Sequence, residues 1–205
     1  MTICYLSSVG EILNNIFRKA HIMKNLAVSL FILFFLLIGC KDESNIVNPT
    51  AETIEIVPLK VGNSWSFKTT VYDTLGSIVS TTVDSFSVVS DTLINGKKYF
   101  IFSTGVLRWN NDSGFWITMA PDSLLLYKFP ANVGDEYSYN IKVICKDSSI
   151  VVPKGTFKCY GYSGSVAIDY VSPGVGLVKE EWYKNKLSGV KYLYQKQELL
   201  NYQLN

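Results

Sequence analysis

The chain has 205 residues, of which 48% are apolar, 14% aromatic and only 18% charged. This composition is typical of a folded domain with a hydrophobic core and excludes a disordered segment. The 19 basic and 17 acidic side chains give a formal net charge of +2 without any basic run, so the basic surface of a nucleic-acid-binding protein is absent and we expect no nucleic-acid partner.

The first predicted element is a short apolar stretch, LAVSLFILFFLLIG at residues 26–39, which follows three basic residues. A membrane-spanning helix needs about 20 apolar residues, whereas the apolar part of a secretory signal takes roughly 7–15. The stretch is therefore too short to span a bilayer. We predict a signal peptide at residues 1–39. In the alternative interpretation the chain starts at Met23, which gives a signal peptide with an ordinary short basic segment, and residues 1–22 result from a start codon assigned too early.

The apolar stretch ends at a cysteine. Its last residues, Leu37-Ile38-Gly39 followed by Cys40, resemble the lipobox of bacterial lipoproteins, in which a cysteine after a small residue is acylated before the signal is removed. The resemblance implies that Cys40 is the lipidation site, that palmitate is among its acyl chains, and that the membrane is a partner through this anchor.

The residues after the cysteine carry a second resemblance. The sequence Lys41-Asp42-Glu43 is similar to the signal with which some Gram-negative bacteria send lipoproteins to the outer face of the outer membrane. The alternative interpretation is a solvated linker, because residues 40–52 are polar and aperiodic. We predict a flexible tether over residues 40–52 and an envelope protein anchored to the outer membrane, with surface exposure as the finer hypothesis.

Two ten-residue segments align without a gap: PLKVGNSWSF at residues 58–67 and PANVGDEYSY at residues 130–139. Proline, a glycine followed by Asn or Asp, and alternating aromatic residues are typical of a turn that leads into a half-buried strand. We therefore predict a β-domain over residues 53–205, built from two tandem meander units at approximately 53–124 and 125–205.

Alternation of apolar and polar residues continues along the chain, as in the predicted strand over residues 136–145. Residues typical of turns recur on both sides of this predicted strand. In chain order they are Asn95-Gly96, Asn110 to Gly114, Pro121-Asp122, Lys146 to Ser149, Pro173-Gly174 and Ser188-Gly189. No long stripe of helical period follows Cys40. The sequence predicts an all-β fold, a single antiparallel domain of about ten strands.

Three motifs, PLxVGNxW from Pro58, VPxGTFxC from Val152 and YxxPGVGLVK from Tyr170, are together similar to secreted lipoproteins of Gram-negative bacteria that have no characterised activity. The resemblance implies a strongly curved antiparallel sheet, either a half-barrel like those of periplasmic lipoprotein carriers or a barrel. Those carriers place helices inside the concavity, and this sequence has no matching helical segment.

Several kinds of catalytic machinery are excluded by residue type. The single histidine, His21, precedes the predicted cleavage site, and Arg108 is the one arginine after Cys40. This removes Ser-His-Asp and Cys-His catalysis and imidazole metal ligands, and disfavours a phosphate clamp. We expect no metal and no cofactor. A pair of carboxylates remains an option; Glu180 and Glu181 face opposite sides of a strand, so such a pair must form across strands.

Cys145 and Cys159 are the thiols that remain in the mature domain. In an oxidising compartment a disulfide between them would close a loop of about 15 residues, with about 3 kcal/mol of stabilisation. Both lie on apolar faces of predicted strands, so two separate buried thiols are the alternative. The sequence leaves this choice open.

Two further sets of candidate residues have weaker signals. Thr74, Thr92 and Ser123 each follow an aspartate and precede a leucine, which resembles the acceptor of a bacterial envelope O-glycosylation system and is also ordinary turn sequence. Trp109 and Trp116 flank the turn at residues 110–114, and we expect them to form an exposed aromatic contact site.

These observations favour a non-catalytic, lipid-anchored protein of the bacterial envelope that acts as a surface structural or interaction module. The first alternative is a carrier or binding protein for a lipid or another apolar ligand. The second is a carboxylate-dependent hydrolase. An empty concavity lined by apolar side chains would favour the carrier. A filled core with an exposed aromatic patch would favour the interaction module. Two converging carboxyl groups with raised pKa values would favour the hydrolase.

Overall fold

The computed structural model describes residues 54–119 and 121–205. The predicted signal peptide, Cys40 and the tether lie outside the described residues. The described part of the chain is one antiparallel sheet of 12 strands. In chain order these are β1 (Ser64–Tyr72), β2 (Ile78–Ile94), β3 (Lys97–Phe102), β4 (Leu107–Asn111), β5 (Gly114–Met119), β6 (Asp122–Lys128), β7 (Glu136–Tyr137), β8 (Ile141–Val152), β9 (Gly155–Ser163), β10 (Ala167–Ser172), β11 (Gly176–Asn185) and β12 (Lys191–Gln203). The predicted all-β antiparallel class is confirmed, with 12 strands instead of about ten.

The strands form two consecutive meanders that are joined in the middle of the sheet. Their spatial order is β6-β5-β4-β3-β2-β1-β12-β11-β10-β9-β8-β7, so each half contains six strands in simple succession. The halves meet where β1 pairs with β12, from Ser64 opposite Gln203 to Val71 opposite Gln195. The predicted construction from two tandem meanders is confirmed, and the connection between them lies at residues 129–135, after the approximate boundary expected at 124/125.

The turn of the ten-residue repeat forms the same hydrogen bonds in both halves, whereas the last two residues continue β1 in the first copy and enter a 3-10 turn in the second. Gly62 and Gly134 have φ values of 91° and 95°, a left-handed conformation that favours glycine. Their N–H groups donate to the carbonyls of Val88 (2.9 Å) and Val143 (2.8 Å), and each valine N–H donates back to the residue after the glycine, at 2.9 and 2.8 Å. The repeat is therefore a structural unit that opens each meander and fixes its first strand pairing.

The two outer strands, β6 and β7, close the sheet into a nearly complete barrel through tyrosine hydroxyls instead of a strand ladder. The Tyr137 hydroxyl donates to the Leu126 carbonyl (3.0 Å) and accepts from the Lys128 N–H (3.2 Å). The Tyr162 hydroxyl donates to the Lys128 carbonyl at 2.9 Å. Free backbone groups on an edge strand are templates for aggregation, and these two phenols satisfy three such groups on β6.

Two local predictions were wrong. The strand expected over residues 136–145 is interrupted by a 3-10 turn at Ser138–Asn140, where Tyr139 and Asn140 have φ values of 53° and 60°. The turn expected at Lys146 to Ser149 lies inside β8, where the register with β9 shifts between Cys145 and Ser148. At Ser138–Asn140 the chain reverses, because β7 and β8 pair with each other antiparallel. At Lys146 to Ser149 β8 only bends, because β9 continues past the irregularity.

Stacked aromatic side chains fill much of the interior. Trp65 on β1 stacks on Phe102 of β3, with ring centroids 6.1 Å apart, and Phe115 on β5 stacks on Tyr127 of β6 at 5.7 Å. All four are at most 5% exposed. Large aromatic side chains dominate the energetics of such cores, and here they also form the walls of the space described next.

Candidate functional site

The aromatic interior encloses an open cavity of about 210 Å³. Residues from both meanders line it: six aromatic side chains, three aliphatic ones and three polar ones. The aromatic residues are Trp65, Phe67, Phe86, Phe102, Phe115 and Tyr127, and the polar residues are Arg108, Glu180 and Gln197. A cavity with an apolar wall and a few converging polar groups is the usual form of a small-molecule site, so this cavity is the candidate functional site.

Arg108 on β4 brings a positive charge into the cavity. Strand alternation points it inward while its neighbour Trp109 points outward. Its guanidinium carbon lies 4.0 Å from the centroid of the Phe102 ring, a cation-π contact. Its Nε has no hydrogen-bond partner, and the described residues place no carboxylate within 4.0 Å of the guanidinium. Burial lowers the pKa of Arg108, which remains charged because its usual pKa is so high.

Two carboxyl groups converge beside the cavity. Asp169 on β10 lies directly opposite Glu180 on β11, which brings the two carboxyl groups close enough for each to affect the pKa of the other. The Tyr127 hydroxyl donates to Asp169 Oδ2 at 3.0 Å, whereas Asp169 Oδ1 is buried and has no partner. The sequence predicted only that a carboxylate pair would have to form across strands; the structure identifies Asp169 and Glu180 as such a pair.

Burial and mutual repulsion make this pair hold a proton at higher pH than isolated carboxyl groups do. Burial, followed by the charge of Glu180, raises the pKa of Asp169 to about 7. Burial also raises the pKa of Glu180. Two adjacent carboxylates resist double ionisation, so near neutral pH the pair carries less than two full negative charges. Burial and the charge of Asp169 raise the pKa of Tyr127 too, which keeps its hydroxyl protonated as a donor.

Gln197 completes the polar lining, and Thr69 holds it from behind the cavity wall. The Gln197 amide Nε2 donates to the Thr69 hydroxyl at 3.2 Å, and that hydroxyl donates to Asp84 at 2.8 Å. This chain of hydrogen bonds crosses from β12 through β1 to β2. The polar end of the Gln197 side chain is thereby held in place at the cavity wall, because its amide is fixed by a partner that is itself fixed.

The expected exposed contact site at Trp109 and Trp116 is wrong for Trp109, which is 3% exposed. The two indoles do stack on each other, with centroids 5.7 Å apart, and the Tyr99 ring packs edge-on against Trp109 at 5.0 Å. Lys97 Nζ lies 3.5 Å above the Trp109 ring. The aliphatic stem of a lysine covers apolar surface while its ammonium stays in water; the pair is therefore a packed outer cluster, with Trp116 half-buried.

Cys145 and Cys159 are both free thiols in the structure. They lie on neighbouring strands out of register, since Cys145 pairs with Gly161 and Cys159 with Ser148. Of the two alternatives, the structure has the one with separate thiols. Cys159 is fully buried, and burial raises the pKa of its thiol to about 12, so it is a structural side chain and not a nucleophile.

The three Asp-(Ser/Thr)-Leu triplets lie in different settings. Thr74 is exposed in the turn after β1, where Asp73 accepts hydrogen bonds from the backbone N–H groups of Leu75 and Ser77 at 2.8 and 2.9 Å. Ser123 is exposed on β6, and Thr92 is half-buried within β2. Thr74 and Ser123 are thus accessible as the O-glycosylation hypothesis requires, and Asp73 also has the ordinary turn role that was the alternative.

Sequence reasoning named two of the charged cavity residues without placing them together. The outcome for Glu180 and Glu181 agrees with alternation: Glu180 lines the cavity, and Glu181 pairs with Lys179 at 2.6 Å. Asp169 was missed, although an aspartate between apolar residues in IDYV at residues 168–171 was a usable signal. Across residues 54–119 and 121–205, no cluster of three or more His, Cys, Asp or Glu side chains is suited to hold a metal ion, and no helix is long and apolar enough to cross a membrane.

Comparisons with known proteins give a likeness of fold. No protein-family model and no curated protein matches the sequence. A protein of Bacteroides fragilis NCTC 9343 thought to be exported, with a YmcC-like fold, is similar at 12% identity and a TM-score of 0.48, over 72% of this chain and 98% of that one. A protein of Parabacteroides distasonis ATCC 8503 thought to be a lipoprotein is similar at 17% identity and a TM-score of 0.42, over 73% of this chain and 99% of that one.

Proposed function

We propose that this chain is a lipid-anchored, non-catalytic protein of the bacterial envelope whose barrel binds a small molecule in its interior. The observation that carries the proposal is the open cavity of about 210 Å³, with its six aromatic walls and three polar groups. A core that served packing alone would fill this space, because protein interiors leave few voids larger than a water molecule. An unfilled, partly polar space therefore favours binding.

The size of the cavity favours a small ligand over a long lipid chain. Pockets that enclose drug-sized ligands measure about 300–1,000 Å³, and an engineered apolar cavity of about 150 Å³ binds benzene. A volume of about 210 Å³ therefore suits one ring with a small substituent. This distinguishes the proposal from a carrier that shelters a whole acyl chain.

The carboxyl pair supports a structural role better than glycoside hydrolysis. The two carboxyls of a glycosidase stand about 5–9.5 Å apart with the substrate between them. Asp169 and Glu180 are instead direct cross-strand neighbours on β10 and β11, a pairing in which the Cβ atoms lie about 4.5–5.5 Å apart, and Asp169 accepts a hydrogen bond from the Tyr127 hydroxyl. The two groups therefore stand side by side in one sheet and do not face each other across a substrate.

The location rests on the sequence. An apolar stretch too short to span a membrane, followed by Gly39-Cys40, supports acylation of Cys40 and retention on the outer membrane. Fractionation of cells that express wild type or Cys40→Ala tests this. We expect wild type in the membrane fraction and the variant in the soluble fraction; wild type in the soluble fraction would contradict the anchor.

Binding in the cavity is tested with a neutral one-ring probe, benzyl alcohol. We expect a saturable shift of the Trp65 indole N–H resonance, since Trp65 lines the cavity, and no shift for Trp116 on the outer face. Leu177→Trp, which fills the cavity, should abolish the shift, while Leu200→Trp at a surface position should leave it. An unresponsive Trp65 in wild type would refute interior binding.

A second candidate function is a surface interaction module, which a different observation favours. Strand β2 exposes five aliphatic side chains along its length; their exposed fractions are 65% for Ile78, 65% for Val79, 62% for Val83, 52% for Val89 and 71% for Leu93. Exposed apolar side chains in this number on one strand favour contact with a partner. If this function is the correct one, Val83→Lys with Val89→Lys would reduce cross-linking to other surface components and leave probe binding unchanged.

A further inference from the structure

From the geometry around Arg108 we infer that the cavity binds a small carboxylate with a flat apolar body of about one ring, its carboxylate held by the Arg108 guanidinium. This inference rests on the proposed function and names the ligand class of the same cavity. Three features of the site support this inference: the guanidinium has no acidic partner among the described residues, the two nearby carboxyl groups are paired across neighbouring strands, and the walls consist of flat aromatic rings.

The guanidinium is the first feature. Arg108 stacks on Phe102 at 4.0 Å, its Nε has no hydrogen-bond partner, and the described residues bring no carboxylate within 4.0 Å of it. An arginine that stacks on a ring keeps its N–H donors free at the edge of its planar group. Such a fork binds a carboxylate with two parallel hydrogen bonds. A partly buried charge without a partner is costly, so an anionic ligand would stabilise this arrangement.

The carboxyl pair is the second feature. Glu180 lines the same cavity, yet it is the direct cross-strand neighbour of Asp169 and forms no ion pair within 4.0 Å of Arg108. Because two adjacent carboxyls resist double ionisation, the pair retains a proton and does not neutralise the guanidinium through contact. Asp169 and Glu180 are thus adjacent to each other, Asp169 accepts a hydrogen bond from Tyr127, and the Arg108 guanidinium stays free to bind a ligand.

The walls are the third feature. Trp65, Phe102, Phe115 and Tyr127 present stacked rings in two pairs, with interplanar angles of 13° and 15°. Flat aromatic walls favour a flat apolar guest, through offset stacking or edge-to-face contact. A volume of about 210 Å³ exceeds that of a cavity that binds benzene, about 150 Å³, by enough for one carboxylate group.

The test compares benzoate with the neutral benzyl alcohol, which has a similar size, by titration of the Trp65 indole N–H in the purified protein. Charge-assisted hydrogen bonds lead us to expect benzoate to bind about 10-fold to 100-fold more tightly. Arg108→Met keeps the aliphatic stem and should remove this preference, so that the variant binds benzoate no more tightly than benzyl alcohol. Lys97→Met, which removes a cation from the outer face, should leave both affinities unchanged.

The outcomes separate the two proposals. If benzyl alcohol binds and benzoate binds no more tightly, or if Arg108→Met keeps the preference, the carboxylate inference is wrong while cavity binding stands. If neither probe shifts Trp65, the proposed function fails as well. Should Arg108→Met not fold, the wild-type comparison still decides, and Arg108→Lys, which keeps the charge and loses the planar fork, should show a preference reduced by about tenfold.

Discussion

Replacing Asp169 by asparagine should stabilise the protein in a pH-dependent way. Burial and Glu180 raise the pKa of Asp169 from 3.8 to about 7. Below pH 3.8 both the folded and the unfolded chain carry the proton. As the pH rises from about 4 to about 7, the unfolded chain releases it and the folded chain does not, so the free energy of unfolding falls. Above about pH 7 Asp169 is ionised in both the folded and the unfolded chain, and the free energy of unfolding falls no further on its account.

The size of the effect follows from the same difference. Roughly three pKa units at about 1.36 kcal/mol each give an upper limit near 4 kcal/mol. The cavity is open and Asp169 is partly exposed, so solvent screening reduces this to about 1–3 kcal/mol. Asparagine does not titrate and can still accept the Tyr127 hydrogen bond. We expect Asp169→Asn to match wild type near pH 4 and to exceed its stability by about 1–3 kcal/mol near pH 8.

Urea denaturation followed by tryptophan fluorescence, at several pH values between about 4 and 8, measures this difference directly. Asp122→Asn at the exposed start of β6 is the matched control and should leave the pH profile unchanged. A residual slope is expected in Asp169→Asn, because burial raises the pKa of Glu180 as well. The reasoning is refuted if Asp169→Asn destabilises the protein at pH 8, or if the two profiles stay parallel.

Three further predictions concern the frame around the cavity. Tyr137→Phe leaves two backbone groups of β6 without partners and should cost about 1–3 kcal/mol in urea denaturation, whereas Tyr139→Phe, at an exposed position, should change stability by less than about 0.5 kcal/mol. Equal costs would contradict the tyrosine closure. Cys159 should react with iodoacetamide only after denaturation and Cys145 sooner, as mass spectrometry would report; rapid native labelling of Cys159 would contradict its burial. Gly134→Ala should cost about 1–2 kcal/mol, since φ is 95° and nothing else obstructs a Cβ there; an unchanged urea midpoint would show that the turn is not needed.

The frame of the fold could be predicted from local sequence patterns. The ten-residue repeat contains its own turn chemistry, so its two copies at residues 58–67 and 130–139 form the same hydrogen bonds with different partners. Alternation of apolar and polar residues defined the strands that follow. It did not distinguish a bend from a reversal. The chain reverses at Tyr139, where alternation predicts a continuous strand, and only bends at Asp147, where the polar residues predict a turn.

The site could be predicted only in part, because it is assembled by long-range closure. Arg108 lies on the fourth strand, and Asp169 and Glu180 lie on the tenth and eleventh; no local spacing connects them. Sequence reasoning identified Arg108 by its rarity and Glu180 by its alternation, and it could not place either at the cavity. The burial of Trp109 was missed for a similar reason, since it depends on the cover provided by Lys97.

The intact mass of the mature protein, purified from the membrane fraction of the cells that make it, tests the central claim of an anchored binding barrel most directly. The account predicts a chain that begins at Cys40, covers residues 40–205 and carries the added mass of a lipid on that cysteine. A chain that keeps residues 26–39 and has no added lipid would contradict the anchor, and with it the placement of this barrel at a membrane surface.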